Sequence, residues 1–305
     1  MTLRLGTRDS ALARAQATAI VGALGAIARS QGRDIHFELH VVTTGTNATQ
    51  DLIDGGESQG EAVVALREAL SAGDCDLVVH ALTDLPLEPC EGLKLAAMPI
   101  REDSREALCA QGVLLNDLPH GARVGADSPR CAAQLLAIRP DLNVVAIYGD
   151  VQAQLAMVGQ SLDAVVVAVA SLKRLGLLSA VSEVLAYDAV VPAPGQGALA
   201  IETRIDADAD LATTVALLDD PATRATTTAE REVLRVLGLE WSRSVGSHAA
   251  LDTGRVKLTA RVTNATGTLQ LTEINGGPVG EAQRIGMLTA HSLLGRGAKH
   301  MMGFL

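Results

Sequence analysis

The chain contains few aromatic residues and few cysteines. Phe, Tyr and Trp together make up 2% of its 305 residues, so the core must be built from Val, Leu, Ala and Ile. The four cysteines are Cys75, Cys90, Cys109 and Cys131. Their spacing matches neither a zinc site nor the disulfide framework of a small secreted domain. We therefore expect reduced thiols and no bound metal.

Positive charge and long apolar runs are also scarce. The formal net charge is −10, which argues against general nucleic-acid binding because displacing phosphate counterions requires a surplus of Lys and Arg. No uninterrupted apolar run reaches the roughly 18 residues that span a bilayer. The N-terminus lacks the basic-then-apolar pattern of a secretory signal. We expect a cytoplasmic protein that binds neither nucleic acid nor membranes, although a local cleft can still attract an anionic small molecule.

Strand-like and helical patterns alternate along the first two thirds of the chain. Strands alternating with helices of about 10–15 residues indicate α/β domains with largely parallel sheets. Two such blocks, before and after residue 100, predict two similar domains with a cleft between them. The last third differs, because a helix at 227–238 precedes two strands at 258–263 and 268–275. This order predicts a small α+β domain.

The first candidate anion site is the segment Gly6-Thr7-Arg8-Asp9-Ser10. It lies between a predicted strand and a predicted helix, where free backbone N–H groups and partial positive charge favour anions. Arg8 adds a bidentate partner for a carboxylate. The alternative is that Asp9 or Ser10 simply caps the helix.

The second candidate is Ser128-Pro129-Arg130. Ser at N-cap and Pro at N1 are favoured at a helix start. A cation in the first turn opposes the helix dipole, so a bound anion is one explanation for Arg130. A purely structural role for Arg130 stays equally open.

The third candidate is Asp84, just past the buried strand predicted at 75–81. A carboxylate at the C-terminal end of such a strand faces the crevice where α/β proteins bind ligands, and it can accept N–H groups or act in acid–base chemistry. A turn-forming role is the alternative. His80 is interpreted as a strand residue with satisfied hydrogen bonds.

The fourth candidate is the segment from Val191 to Glu202, which begins Val-Pro-Ala-Pro-Gly-Gln-Gly. Two prolines and two glycines before an apolar strand predict a shaped crossover or hinge whose backbone can approach a ligand closely.

Together these segments carry a resemblance that spans nearly the whole chain. The matching residues are Thr7, Arg8, Ser10, Leu12, Ala13 and Gln16; His80, Asp84 and Pro86; Arg101, Glu102 and Asp103; Val124, Gly125, Ser128, Arg130 and Gln134; Leu172 to Gly176; Pro192 to Glu202; and Thr228 to Arg231. In this order they resemble the porphobilinogen deaminase (hydroxymethylbilane synthase) family.

The resemblance implies a fold and an activity. The expected fold is α/β, with two periplasmic-binding-protein-like lobes of mixed sheets around a hinged cleft and a small α+β C-terminal domain. The implied domains are 1–98 with 200–217, then 99–199, then 218–305. Family members condense four porphobilinogens head to tail into hydroxymethylbilane and release ammonia. The growing chain is attached to a dipyrromethane cofactor, which a domain-three cysteine holds through a thioether. A monomer is expected.

The resemblance also implies roles for individual residues. Asp84 corresponds to the catalytic aspartate, which contacts pyrrole N–H groups and stabilises positive charge as ammonia leaves. The residues expected to bind the substrate carboxylates and ring are Arg8, Ser10, Gln16, Ser128, Arg130 and Arg174.

The sequence departs from the family where the cofactor would be held. Read without gaps from Glu230, the cysteine position falls on Trp241, which cannot form a thioether. Further family positions are changed to Thr83, Ala62, Cys131, Tyr148 and Gln154, of which Cys131, Tyr148 and Gln154 stand where the family has arginines. We therefore expect the dipyrromethane cofactor to be absent from this chain.

Three interpretations remain open at this point. The chain still performs the family reaction from another anchor, for which Cys131 is the candidate. Alternatively, it is a diverged enzyme that acts on another pyrrole or small carboxylate without a covalent primer. The third interpretation is a non-catalytic ligand-binding paralogue that closes around its ligand. The retained Asp84 favours chemistry, because a binder of carboxylates gains nothing from an acidic group in its cleft.

Overall fold

The computed structural model describes residues 1–43, 57–238 and 244–301. Within them the chain forms two compact units. Unit 1 comprises Met1–Glu102 and Ala198–Thr223, and unit 2 comprises Asp103–Gly197 and Arg224–Leu305. Trp241, which stands at the position of the family's cofactor cysteine, lies outside the described residues.

Unit 1 is built on one mixed sheet with helices packed against it. Its strands follow the order β2-β1-β3-β10-β4, in which β1 pairs in parallel with β2 and β3, and β10 runs antiparallel to β3 and β4. The strands are β1 (Thr2–Thr7), β2 (His36–Val41), β3 (Leu77–Ala81), β4 (Leu93–Ala97) and β10 (Leu199–Arg204). The helices are α1 (Ala11–Ser30), α2 (Glu57–Ala72) and α6 (Ala209–Ala216).

Helix α1 covers one face of this sheet. It begins at the N-cap Ser10, whose hydroxyl accepts a hydrogen bond from the Ala13 amide. Ala17, Ile20 and Leu24 are buried against strand residues of the sheet. By length and mean hydropathy α1 also meets the criterion for a membrane-spanning helix, although the sequence has no uninterrupted apolar run of that length. Core helices of globular domains meet the same criterion, and the buried face of α1 packs as such a helix does.

Unit 2 repeats the same sheet pattern. Its five strands follow the order β7-β6-β8-β5-β9, with β6 parallel to β7 and β8, and β5 antiparallel to β8 and β9. They are β5 (Glu106–Cys109), β6 (Arg123–Ala126), β7 (Asn143–Ala146), β8 (Ala164–Ala168) and β9 (Glu183–Val184). The helices are α3 (Pro129–Ile138), α4 (Val151–Ala156) and α5 (Val169–Arg174).

In each sheet one strand is antiparallel to the other four. This strand is the first one after the chain passes from one unit to the other. Strand β5 is the first of unit 2, and β10 is the first after the chain re-enters unit 1 at Ala198. The sheets are therefore mixed. The other four strands of each sheet are parallel, as strand–helix alternation predicts. Alternation along the chain does not predict the direction of a strand that enters the sheet next to a crossing between the units.

The C-terminal part of unit 2 contains a third, three-stranded antiparallel sheet. Its strands are β11 (Val245–Asp252), β12 (Arg255–Thr263) and β13 (Gln270–Pro278). Helices α7 (Pro221–Leu237) and α8 (Ala282–Gly295) bury their apolar sides on it, and a short helix α9 (Ala298–Met301) follows. The two strands predicted at 258–263 and 268–275 are present as β12 and β13, which form a hairpin, and Gly267 adopts a positive φ of 72° in its turn. The strand β11 was not predicted.

The Pro- and Gly-rich segment before β10 is held by the carboxylate of Glu230 on α7. This fully buried side chain accepts hydrogen bonds from the Gly195 amide (2.7 Å) and from the Ala249 amide on β11 (2.7 Å). Gly195 and Gly197 have φ values of 83° and 84°, a region that side chains other than glycine rarely adopt. The predicted shaped crossover is thus a loop that one buried carboxylate ties to the third sheet.

The α/β fold class, with mixed sheets and a small α+β C-terminal part, is confirmed. The division into three domains at 98, 199 and 217 stays a prediction, as does the hinged cleft. The helix predicted at 227–238 begins earlier, at Pro221, and the strand predicted at 268–275 spans Gln270–Pro278.

Replacing Gly246 tests how closely the third sheet approaches the segment before β10. A Cβ atom on Gly246 would overlap the backbone carbonyl oxygen of Val191, which cannot move as a flexible side chain can. We expect Gly246→Ala to lower the free energy of unfolding by about 1–3 kcal/mol, as overpacking does, measured as a lower midpoint of thermal unfolding. Gly280→Ala is the matched control, because nothing lies within 4 Å of its added Cβ. Equal midpoints for the two variants would contradict the close approach.

Candidate functional site

Unit 1 contains a small cavity where the predicted residues of its first two motifs meet. The cavity has a volume of about 70 Å³, and its polar lining consists of Arg8, Ser10, Gln16, His80 and Asp84. Aliphatic side chains of α1, α2 and β3 complete its wall. The four unit-1 residues predicted as site residues are therefore close together, although 76 positions separate Arg8 from Asp84.

The sheet brings these residues together. Arg8 and Ser10 follow β1, and Asp84 follows β3, which is the parallel neighbour of β1. Parallel neighbours end at the same edge of a sheet, so their following loops meet. The first turn of α1 also borders the cavity, with Leu12 and Ala13 in its lining.

Arg8 and Asp84 form an ion pair in this cavity. The Arg8 Nη1 atom lies 3.9 Å from Asp84 Oδ2, and the side chains are 26% and 19% exposed. Burial raises the pKa of Asp84 above its ordinary value, and Arg8, a hydrogen bond from the Thr83 hydroxyl (3.2 Å) and His80 oppose this rise. A separation of 3.9 Å is too long for a tight bidentate pair, so both groups keep capacity for a ligand.

A buried ion pair and a histidine lie behind the same cavity. Arg67 on α2 donates two hydrogen bonds to Glu202 on β10, at 2.9 and 2.7 Å. Burial alone would raise the pKa of Glu202, but its contacts with His80 and Arg67 lower it to about 2. The Nε2 atom of His80 lies 3.1 Å from Glu202 Oε2, yet their geometry falls outside that of a hydrogen bond.

The sequence prediction did not foresee this arrangement. His80 was interpreted as a satisfied strand residue, but the structure buries it with an Nε2 atom that lacks a well-formed hydrogen bond. Arg67 was not singled out. The sequence signal that could have revealed this pair is Glu202, a charged residue within the otherwise apolar strand β10. In the sheet, β10 lies between β3 and β4.

The predicted unit-2 residues lie at the start of α3 and nearby. Ser128 is the N-cap, and its hydroxyl accepts from the Cys131 amide at 3.3 Å. Arg130 is buried, donating to Glu106 Oε1 at 2.5 Å and to the carbonyl oxygen of Val191 at 2.7 Å. The anion that compensates for Arg130 at this helix start is therefore Glu106 of the protein itself. Its predicted role in binding substrate stays a prediction.

The other unit-2 candidates have protein contacts of their own. Arg174 donates from Nη2 to the carbonyl oxygen of Gly197 at 2.7 Å. Cys131 is buried, and burial, Glu106 and Asp127 raise the pKa of its thiol well above the ordinary value. Trp241 lies outside the described residues. Across the described parts of the chain, no three His, Cys, Asp or Glu side chains are grouped to hold a metal ion.

Comparison with known proteins relates the whole chain to one group. Residues 3–212 match the family model described as "Porphobilinogen deaminase, dipyromethane cofactor binding domain". A porphobilinogen deaminase from Leifsonia xyli is 45% identical over 88% of this chain and 82% of its own length. One from Corynebacterium glutamicum is 39% identical over 99% of both chains, and porphobilinogen deaminase 1 of Streptomyces coelicolor is 40% identical over 99% and 97%.

Solved structures similar in fold include solute-binding proteins. The match to the methionine-binding protein MetQ covers 71% of this chain and 89% of MetQ, with 15% identity and a TM-score of 0.43. The match to a TRAP periplasmic solute-binding protein from Desulfovibrio salexigens covers 72% of each chain, with 10% identity and a TM-score of 0.44.

The fold and cavity define a class: an α/β protein with two mixed sheets of the same order, in which loops after parallel strands place a guanidinium against a carboxylate. The family model matches more than half of the chain, and the relatives match 88–99% of it. The chain belongs to the porphobilinogen deaminase family.

The pH dependence of stability provides a test of the Glu202 environment. Its pKa is about 2 in the folded protein against an ordinary 4.5, so the ionised carboxylate contributes stability above pH 4.5, which is lost as the pH falls towards 2. The contribution is on the order of 3 kcal/mol. We expect the gap in unfolding free energy between wild type and Glu202→Gln to shrink from pH 6 to pH 3, measured by urea unfolding.

The control for this series is Glu68→Gln, an exposed position on the same helix as Arg67. It should leave the pH profile of the wild type unchanged. A gap between wild type and Glu202→Gln that is the same at pH 6 and pH 3 would show that Glu202 has an ordinary pKa.

Proposed function

We propose that this chain binds a porphobilinogen-type pyrrole in the unit-1 cavity through Arg8 and Asp84, and that it carries no thioether-linked dipyrromethane. The observation that carries the proposal is the opposed pair in the cavity: a guanidinium and a carboxylate 3.9 Å apart, both partly accessible. A pyrrole with acidic side chains and a ring N–H presents the complementary groups. The alternative ligand within this proposal is another small pyrrole or carboxylate.

Each half of the pair matches one half of such a ligand. Arg8 can take an acetate or propionate carboxylate in charge-assisted hydrogen bonds, aided by the positive end of α1. The Asp84 carboxylate can accept the ring N–H and stabilise positive charge that develops on the pyrrole as ammonia leaves. The neighbouring guanidinium favours the ionised form of Asp84 that this role requires.

The thiols of the chain support the absence of a covalent primer. All four cysteines lie in the described residues. Burial raises the pKa of Cys75 and of Cys109 to about 11 and that of Cys131 further above its ordinary value. The half-buried Cys90 packs against the apolar cluster beneath α2. A thioether requires a thiolate-type nucleophile, so these environments do not fit a thiol that anchors the cofactor.

The surroundings of Arg130 support the same proposal. Glu106, the Val191 carbonyl and Gln196 already take up its guanidinium. Cys131, Tyr148 and Gln154 stand where the family has further arginines. Each lost, desolvated Arg–carboxylate contact costs on the order of 2–5 kcal/mol of binding. A long polypyrrole with many carboxylates is therefore disfavoured relative to a single ring.

The second candidate function is the family reaction itself. The 39–45% identity to porphobilinogen deaminases over most of the chain favours it. That reaction would require an anchor other than residue 241, and Cys131 would have to supply it despite its buried, protonated thiol. A non-catalytic ligand-binding paralogue would use the same cavity, with Asp84 as a hydrogen-bond acceptor only.

The intact mass of the purified protein tests the absence of a covalent primer. We expect the mass calculated from the sequence, with no oligopyrrole increment, and no hydroxymethylbilane after incubation with porphobilinogen. The Trp241→Cys variant, expressed in the same cells, is the comparison that shows whether pyrrole precursors were available for attachment. An oligopyrrole increment on the wild-type chain, or bilane formed at ordinary rates, would overturn this part of the proposal.

Binding of porphobilinogen tests the cavity. We expect Arg8→Gln and Asp84→Asn each to weaken binding at least about tenfold, because each removes a hydrogen bond to a charged group. Isothermal titration calorimetry measures the dissociation constant. The matched controls are Arg14→Gln and Asp9→Asn, an exposed ion pair in the same region, which should bind as the wild type does. Wild-type protein that binds no pyrrole would refute the proposed site.

A further inference from the structure

His80 is a buried side chain in the wall of the Arg8–Asp84 cavity. It is 4% exposed and lines the cavity together with Asp84. It lies on β3 opposite Ala200 of β10, so its side chain is on the same sheet face as Glu202, two residues further along β10. Its buried Nε2 atom forms no well-directed hydrogen bond with a described residue, a rare condition for a buried polar atom.

The charged groups around His80 come from four elements. Glu202 faces it from β10, and Arg67 of α2 neutralises that carboxylate through two hydrogen bonds. Asp84, on the turn after β3, and Arg8, in the loop after β1, share the cavity with it. Behind the ring the charges of Arg67 and Glu202 therefore cancel, and ahead of it lies the space that the substrate would occupy.

The position of Glu202 determines which nitrogen of His80 carries the proton. Nε2 lies 3.1 Å from a carboxylate oxygen. A lone pair directed at this anion would be repelled, whereas an N–H in the same place is attracted even when the angle is poor. An N–H at Nε2 is therefore the favoured arrangement, and Nδ1 of the neutral ring then carries a lone pair.

We infer that Nδ1 of His80 is a hydrogen-bond acceptor for the substrate, so that His80 and Asp84 together select a ligand with two N–H donors. In a porphobilinogen-type pyrrole these donors are the ring N–H and the aminomethyl group. The inference rests on the proposed function and extends it: Arg8 recognises the acidic side chains of the ligand, and His80 with Asp84 recognises its nitrogen-bearing side. His80 is thereby a specificity-determining residue.

A pair of amide variants distinguishes this role from a structural one. The side-chain oxygen of Asn can replace Nδ1 as an acceptor, whereas the longer Gln places its amide near Nε2 and Glu202. We expect His80→Asn to bind porphobilinogen within about threefold of the wild type, and His80→Gln and His80→Leu to bind about tenfold more weakly, the loss of one hydrogen bond. His36→Asn, at an exposed strand position, is the control. The reverse order, with Gln tolerated and Asn impaired, would overturn the inference.

The ligand provides the second comparison. We expect His80→Leu to leave unchanged the affinity for the same pyrrole dicarboxylic acid without its aminomethyl group, since the contact that is lost is absent from this ligand. An equal loss for both ligands would indicate a general disturbance of the cavity and contradict the inference. If wild type binds porphobilinogen, Asp84→Asn weakens binding and His80→Gln does not, the inference fails while the proposed function stands. If wild type binds no pyrrole, both fail.

A measurement on the unmodified protein covers the case in which the variants fail to fold. The ¹⁵N chemical shifts of the histidine ring identify the protonated nitrogen. We expect His80 to carry its proton on Nε2 in the free protein, and the Nδ1 resonance to shift when porphobilinogen is added. A proton on Nδ1, in the neutral or the doubly protonated ring, or an Nδ1 resonance that does not respond to saturating ligand, would overturn the inference.

Discussion

Arg8 and Asp84 are held 3.9 Å apart because the loops that carry them follow two parallel strands that pair with each other. The rest of the site depends on this constraint. Because opposite charges lie at one sheet edge, a ligand that carries both a negative and a positive group can pair with both side chains at once. Neither side chain alone allows this. The start of α1 adds dipolar attraction for an anion, and β3 supplies His80 a few residues before Asp84.

Keeping charged groups in an otherwise aliphatic interior requires compensation. In each unit the antiparallel strand of the sheet carries a buried glutamate, and a helix supplies the arginine that pairs with it: Arg67 with Glu202 in unit 1, and Arg130 with Glu106 in unit 2. Breaking such a pair leaves an uncompensated charge, which costs about 3–5 kcal/mol. The two pairs nevertheless differ in consequence. In unit 1 the pair lies beside His80 at the wall of the cavity, whereas in unit 2 it takes up the guanidinium at the start of α3.

The chain matches the family over the residues that form both five-stranded sheets and the unit-1 cavity. Its departures are Trp241, the three positions of unit 2 where the family has arginines, and two positions at the cavity itself: Ala62 in its wall and Thr83 next to Asp84. The proposed function therefore keeps the ligand class of the family, for which the unit-1 cavity offers a guanidinium and a carboxylate, and omits the covalent primer, which the buried thiols are poorly suited to hold.

Much of the fold could be predicted from the sequence, because apolar periodicity reports local burial directly. The helix start at Ser10 and the N-cap at Ser128 followed from capping chemistry, and both are present. The loop with Gly195 and Gly197 followed from the conformations that only glycine readily adopts. The strand β11, from Val245 to Asp252, was not predicted. Its buried and exposed residues do not alternate regularly.

The candidate site was predictable only in part. Asp84, Arg8, Ser10 and Gln16 were identified because motif positions survive in the amino-acid order, and no distance between them could be known. The tertiary structure alone decided the partners: that Arg130 is paired with Glu106, that Arg67 reaches Glu202 across 135 positions, and that Nε2 of His80 is left without a directed hydrogen bond. The sequence determines which groups are present and which local conformations they favour. Whether a charge is satisfied depends on what lies within a few ångströms of it, and pairing between distant segments controls that distance.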